Sequence, residues 1–133
     1  MIDAHVLYAD GASRGNPGPA AIGAVLYDPA GGVVAEVSEA IGQTTNNVAE
    51  YEALIAGLEA ALDHGVDRLR VCLDSLLLVR QVRGEYRVKA PGLRPLHRRV
   101  MALSGRFVAF SIEHVRRERN TVADGLANAA LDR

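Results

Sequence analysis

The sequence predicts an α/β fold, and three observations lead there. Apolar runs of strand length fall in two groups, three before residue 43 and two after residue 67. Between and beyond them the apolar spacing changes to the three-and-four step of a helix. The resulting order, β-β-β-α-β-α-α-β-α, is a hairpin meander followed by crossover helices. With 133 residues and 49% hydrophobic content, one domain spanning 1–133 can bury its own core.

HVLYAD (5–10) is short and apolar and runs into Asp-Gly, a strand entering a turn. AAIGAVLYD (20–28) and VVAEVSEAIG (33–42) are two further strands, joined through the hairpin turn PAGG (29–32). Over 48–62 the residues Val48, Tyr51, Leu54, Ile55, Leu58, Ala61 and Leu62 form one helical face, and His64-Gly65 stops it. RLRVCLD (68–74) is a buried strand, followed by a helix over 75–84 and a second over roughly 92–103, after Pro91. FVAFSIEHV (107–115) is the last strand, and Asn120 is expected to cap the final helix, NTVADGLANAALD.

No apolar run is long enough to cross a bilayer, and no signal-like segment precedes the first strand. Cys72 is the only cysteine and sits in the apolar run LRVCL, which makes it a small core residue and the cytoplasm the expected compartment. The net charge of −1 hides a division. Residues 1–67 carry one base against ten acids, while residues 68–133 carry fourteen bases against six acids. That split fits solvated helix faces as well as it fits a phosphate-binding surface beside an acidic pocket.

Four acids stand apart from the surface charges. Asp10 ends its strand, and taken alone it is a turn-forming Asp-Gly. Asp74 sits at a strand-to-helix junction, where a helix cap is the plain reading. Glu50 lies three residues after Asn47, a capping-box spacing, yet shares its helix face with Leu54 and Leu58 while Glu52, Glu59 and Asp63 lie opposite. Asp124 is seven residues from Leu131, about 20° apart on a straight helix, so it shares the inward face with Ala127. Inward carboxylates cannot all stay ionised together without rising pKa values or bound cations. An oxygen-only set suits magnesium, and the absence of a Cys/His cluster argues against zinc. Two such ions would clamp an in-line phosphoryl displacement. Gly11, Gly15 and Gly18 form no P-loop, since no Gly-Lys-Ser/Thr follows.

The segments DGASRGNPGPAAIG, TTNNVAEYEAL, LDS, QVRGEYRVK and RERNTVADGLAN, in that order, make nearly the whole chain resemble type 1 ribonuclease H. The resemblance implies a ribonuclease H-like fold: a mixed five-stranded sheet, three antiparallel strands leading into parallel ones, flanked by helices. It implies a magnesium-dependent endonuclease, with Mn²⁺ as a substitute metal, that cuts the RNA strand of RNA/DNA hybrids to 5′-phosphate and 3′-hydroxyl ends. By that likeness Asp10 bridges two Mg²⁺ ions, Asp74 and Glu50 complete one site, and Asp124 completes the other. Asn16, Asn46 and Asn47 would reach the minor groove, and the Thr45 hydroxyl would hold a DNA phosphate. A monomer is implied, with fusion to a further domain known among similar members.

Three departures qualify the likeness. Leu76 follows Asp74-Ser75 where the family often has Gln. The stretch VRGEYRVKAPG is short and the chain has no Trp, so the basic protrusion of longer members is missing, with Arg80, Arg83, Arg87 and Lys89 as partial substitutes. The loop HVRRERN is contracted and lacks the family's loop His, and Arg117 or Glu118 is the expected occupant of that space, Arg117 first, ahead of His114. Two alternatives stay open: a catalytically silent hybrid-binding module, and another nuclease on the same fold.

Overall fold

The three early apolar runs become β1 (His5–Ser13), β2 (Gly18–Tyr27) and β3 (Val33–Thr44), paired as an antiparallel meander. In the computed structural model, which describes residues 3–133, β4 (Arg68–Leu73) and β5 (Ala109–His114) extend the sheet in parallel. The strand order is β3-β2-β1-β4-β5, so the expected mixed five-stranded sheet is present. Four helices accompany it: α1 (Asn46–Asp63), α2 (Leu76–Val82), α3 (Arg94–Ser104) and α4 (Thr121–Asp132). Helices α1, α2 and α3 pack on one another, whereas α4 lies across β1, β2 and β3.

Alternation along β1 explains the two layers. Successive strand residues point to opposite faces. Leu7 meets α1 at Gly57, and Gly11 meets it at Ala49 and Glu50. Asp10 therefore points the other way, and its register partner Gly23 lies against α4 at Ala123 and Ala127. The main core fills the α1 side, with Leu7, Leu54, Leu58, Val71 and Leu78 fully buried. Burying each such leucine contributes roughly 1.5–3 kcal/mol before entropy is counted.

The turns are local chemistry. The β2–β3 hairpin closes on Asp28, whose Oδ1 accepts from the N–H groups of Ala30 and Gly32, both at 2.9 Å. Gly31 takes the positive φ of 94° that this turn needs. Helix α1 ends as expected at His64-Gly65, where Gly65 has a φ of 72° and donates to the Leu62 carbonyl. The β1–β2 connection turns through Gly15, at a φ of 112°, and a cis Asn16–Pro17 bond.

Three local expectations are overturned. Strand β1 does not stop at Asp10 but continues to Ser13, because β2 pairs with it throughout, from Val6↔Tyr27 to Ser13↔Ala20. Only the parallel pairing ends early, at Tyr8↔Cys72, so β1 and β4 part just before Asp10. The α1 cap is Thr45, which accepts from Val48 N–H at 3.3 Å, so Asn47 and Glu50 form no capping box. Asn120 occupies the cap position of α4 yet makes no capping bond; its Nδ2 instead donates to the Ala9 carbonyl at 3.0 Å.

Two glycines set how closely the helices approach. A Cβ on Gly11 would lie 2.2–2.3 Å from the backbone of Ala49 and Glu50, and one on Gly23 would lie 2.1 Å from the Ala123 carbonyl oxygen. Backbone cannot step aside as a flexible side chain can, so Gly11→Ala is expected to cost about 1–3 kcal/mol in urea unfolding. Gly125 has nothing within 4 Å of its added Cβ, and Gly125→Ala should stabilise α4 by about 0.5–1 kcal/mol. Equal effects of the two changes would contradict the close-approach argument.

Candidate active site

Four elements deliver the four acids to the gap where β1 and β4 part. Asp10 comes from β1, Glu50 from the first turns of α1, Asp74 from the residue after β4, and Asp124 from the first turn of α4. The tight contact at Gly11 sets Glu50 beside the strand, and the one at Gly23 brings α4 down over Asp10. Asp10, Glu50 and Asp74 line one small cavity of ≈ 10 Å³ with Ala9, Leu73, Ser75 and Leu78, and Asp124 reaches Asp10 from the α4 side.

The plain readings of these acids fail. Ser75, not Asp74, caps α2, accepting from Leu78 N–H at 3.3 Å, which leaves the Asp74 carboxylate free of that duty. Asp10 lies within a paired strand and turns nothing.

Electrostatically the site is under tension. Burial, then the charges of Asp74, Asp124 and Glu50, push Asp10 up to about 8. Burial also lifts Glu50 to about 7 against the pull of Ser75, with Asp74 raising it further and the Arg117 guanidinium lowering it. One Glu50 oxygen, Oε2, is buried with no hydrogen-bond partner. Among the described residues no three His, Cys, Asp or Glu side chains close around a single point as a finished coordination shell. Three of the acids line the small cavity instead, and Asp124 adjoins Asp10. An oxygen-only donor set, an orphaned carboxylate oxygen and two acids held above their ordinary range fit a hard divalent cation such as Mg²⁺ or Mn²⁺.

The amide residues gather separately. Asn16, Thr45, Asn46 and Asn47 all line one cleft of ≈ 530 Å³, closed on the far side by Ala90, Gly92 and Leu93. Asn16 Oδ1 accepts from the Asn46 N–H at 3.1 Å, and Asn46 Oδ1 accepts from the Ser13 N–H at 3.1 Å, tying the β1–β2 turn to the start of α1. Arg117 is exposed in a short 3₁₀ turn (Arg117–Arg119), close enough for its charge to act on Glu50. His114 ends β5 and is exposed. Of the basic residues after α2, Arg83 is committed to the Ile112 carbonyl at 2.9 Å, and Arg80 lies 5.1 Å over the Tyr86 ring.

Three residues support the site in roles the sequence analysis did not give them. Asn128 donates to Asp124 Oδ1 at 3.2 Å, a contact its i+4 spacing would have shown. Ser75, besides capping α2, sits where its hydroxyl favours the ionised form of Glu50. Asn120 ties β1 to α4 beside Asp10, and no sequence signal separates that role from capping.

Residues 8–130 match a protein family described as reverse transcriptase-like. Ribonuclease HI of Halobacterium salinarum is 52% identical over 94% of this chain, which spans 63% of that relative. The bifunctional protein Rv2228c of Mycobacterium tuberculosis is 49% identical over 96% of this chain, which spans only 35% of its length. The crystal structure of RNase H1 from Halobacterium salinarum superposes with a TM-score of 0.95 at 50% identity, covering 97% of this chain and 98% of that one. LC11-RNase H1, solved in complex with RNA/DNA hybrid, superposes with a TM-score of 0.90 at 43% identity, covering 96% of each chain.

The raised carboxyls make a pH prediction for the protein in EDTA. Between their unfolded values near 4 and their folded values of about 7 and 8, the folded state holds protons that the unfolded chain has released. Stability therefore falls as pH rises through that window. Urea unfolding should show a lower free energy at pH 8 than at pH 5, and Asp10→Asn should be the more stable protein at pH 8 by on the order of 1–3 kcal/mol. Millimolar Mg²⁺ should restore the parent at pH 8. A flat profile in EDTA would contradict the assignment of strain to these acids.

Proposed function

This chain belongs to the ribonuclease H family, and from that premise we propose that it is an endonuclease hydrolysing the RNA strand of RNA/DNA hybrids. The observation that carries the reading is that Asp10, Glu50 and Asp74, from three elements, line one small cavity and that Asp124, from a fourth, reaches Asp10. The hybrid bound to LC11-RNase H1 supports the choice of substrate.

Asp10, Glu50, Asp74 and Asp124 would hold the divalent cations, Mg²⁺ by donor type and two by family likeness. When bound, these ions supply Lewis-acid activation and neutralise charge developing on the phosphate. Water attacks phosphorus in line, the bond to the 3′ oxygen breaks, and the ends are a 5′-phosphate and a 3′-hydroxyl. Asn16, Asn46 and Asn47 supply amides that both donate and accept in the minor groove, where the 2′-hydroxyl marks the RNA strand. The Thr45 hydroxyl, although its oxygen accepts from Val48, retains a proton to donate to a DNA phosphate. Arg117 puts positive charge beside Glu50 in place of the family's loop histidine. Leu76, 44% exposed beside Ser75, offers the substrate an apolar contact where an amide is usual. All four acids come from one chain, so a monomer suffices. The length of the relatives fits fusion to a second domain in the natural protein.

One sequence presented as RNA/DNA, RNA/RNA, DNA/DNA and single-stranded RNA, with Mg²⁺ or EDTA, tests the reading. Internal cutting of RNA in the hybrid alone, dependent on Mg²⁺, is expected; blocked ends should not matter, as they would for an exonuclease. Asp74→Asn removes a charge and little volume, and should lower turnover at least about a hundredfold with the fold intact by circular dichroism. Near-normal turnover of that variant would sink the metal-site assignment. Hybrid binding of equal strength with and without Mg²⁺, and no cutting, would favour a silent binding module.

A further inference from the structure

On the α4 side of the sheet, away from the carboxylate junction, lies a cleft of ≈ 430 Å³ that cleavage of a hybrid does not require. Tyr8 and Tyr27 form its floor, their rings edge-to-face with centroids 6.0 Å apart. Arg70 and Arg119 stand in its walls, and Asn120, Val122 and Ala123 at the start of α4 form another side. Apolar floor and cationic wall together favour a flat ring that carries a negative charge.

The start of α4 adds a reason for anions. Its cap residue makes no capping bond, so the first-turn N–H groups of Thr121, Val122 and Ala123 have no side-chain acceptor. Such a helix end attracts a phosphate or carboxylate oxygen. Asn120 is an independent pointer. It is 1% exposed and lines the cleft, and while its Nδ2 is spent on Ala9, its Oδ1 has no partner. A buried acceptor left unpaired costs roughly 1–3 kcal/mol. A ligand that brings a donor as well as an anion would recover it.

The competing charges are accounted for. Asp28 also lines the cleft and contributes a negative charge, with its Oδ1 held at the hairpin end by the N–H groups of Ala30 and Gly32, so the cleft sets two arginines against one acid. Arg70 is shared with Glu113 at 3.3 Å, while Arg119 makes no ion pair among the described residues. Arg119 is therefore the principal free cation.

We propose that this cleft binds a nucleoside monophosphate: the base against Tyr8 and Tyr27, the phosphate between Arg119 and the open end of α4, and a hydroxyl or amino donor toward Asn120. Its walls are the two elements that bear Asp10 and Asp124, each within a few residues of the cleft, and Asn120 bonds both of them together. The proposal is one of binding, and it stands whether or not the cleavage reading holds.

The test is a titration of the whole chain with AMP, followed by amide and tyrosine ring NMR shifts, in EDTA so that no metal recruits phosphate to the acids. Saturable shifts at Tyr8, Tyr27 and Thr121–Ala123 are expected, with affinity about tenfold weaker in Arg119→Ala and in Tyr27→Leu. Both sites are partly or fully exposed, and an unchanged remainder of the spectrum certifies the fold. Inorganic phosphate should bind at least tenfold more weakly than AMP. The proposal is overturned by shifts centred on Asp10, Glu50 and Asp74, by no saturable shift, by Arg119→Ala binding as the parent does, or by phosphate binding as tightly as AMP.

Discussion

The crowding of four like charges at the point where two parallel strands part is the constraint on which the rest of this structure depends. Asp10 sits on the strand both helix layers touch, and it is repelled by Asp74, Asp124 and Glu50 alike. Water cannot screen it fully, because α1 presses on one face of β1 and α4 on the facing register position of β2. Both approaches exist only because Gly11 and Gly23 have no side chain. The strain at the carboxylates is thus a consequence of backbone contact, and a wider packing would relax the acids and separate them.

The rigid frame around the junction is built mostly from side chains bonded to backbone. Thr45 and Ser75 cap the two helices that carry or follow an acid, Asn16 and Asn46 lock the β1–β2 turn to α1, and Asn120 holds β1 to α4. These bonds place groups more than they stabilise the fold, since each contributes about 1 kcal/mol net. Their value lies in positioning, because misplacing a carboxylate by an ångström changes its repulsion with every other.

The lopsided charge of the chain resolves into two kinds of arginine. Arg14 pairs with Asp132 and Arg99 with Glu59, at 2.6 and 2.7 Å, while Arg70 pairs with Glu113. Arg83, Arg94 and Arg133 donate to backbone carbonyls. Exposed pairs of this sort add little stability, but they weaken the pull of those cations on a phosphate. What is left over, including Arg87, Lys89, Arg98, Arg116, Arg117 and Arg119, is the charge available to an anion. Neither the solvated-face reading nor the phosphate-surface reading of the basic half is complete by itself.

Sequence patterning determined the strands and the helices and set the four acids apart from the surface charges, because apolar period and helix face are properties of neighbours along the chain. The spacing of Glu50 with Leu54 and Leu58 marks an inward acid without any knowledge of what it faces. Capping was legible only in part: Thr45, Ser75 and Asn120 each offer an oxygen at a helix start, and only the packed structure decided that the first two accept while the third turns to Ala9. The continuation of β1 through Gly11 likewise depended on β2 lying beside it, which overrides the local turn preference of Asp-Gly. Tertiary structure alone decided how close the helices come, which acids repel which, and that a second cleft lies behind them. Those are distances between residues far apart in the chain, and no local pattern encodes them.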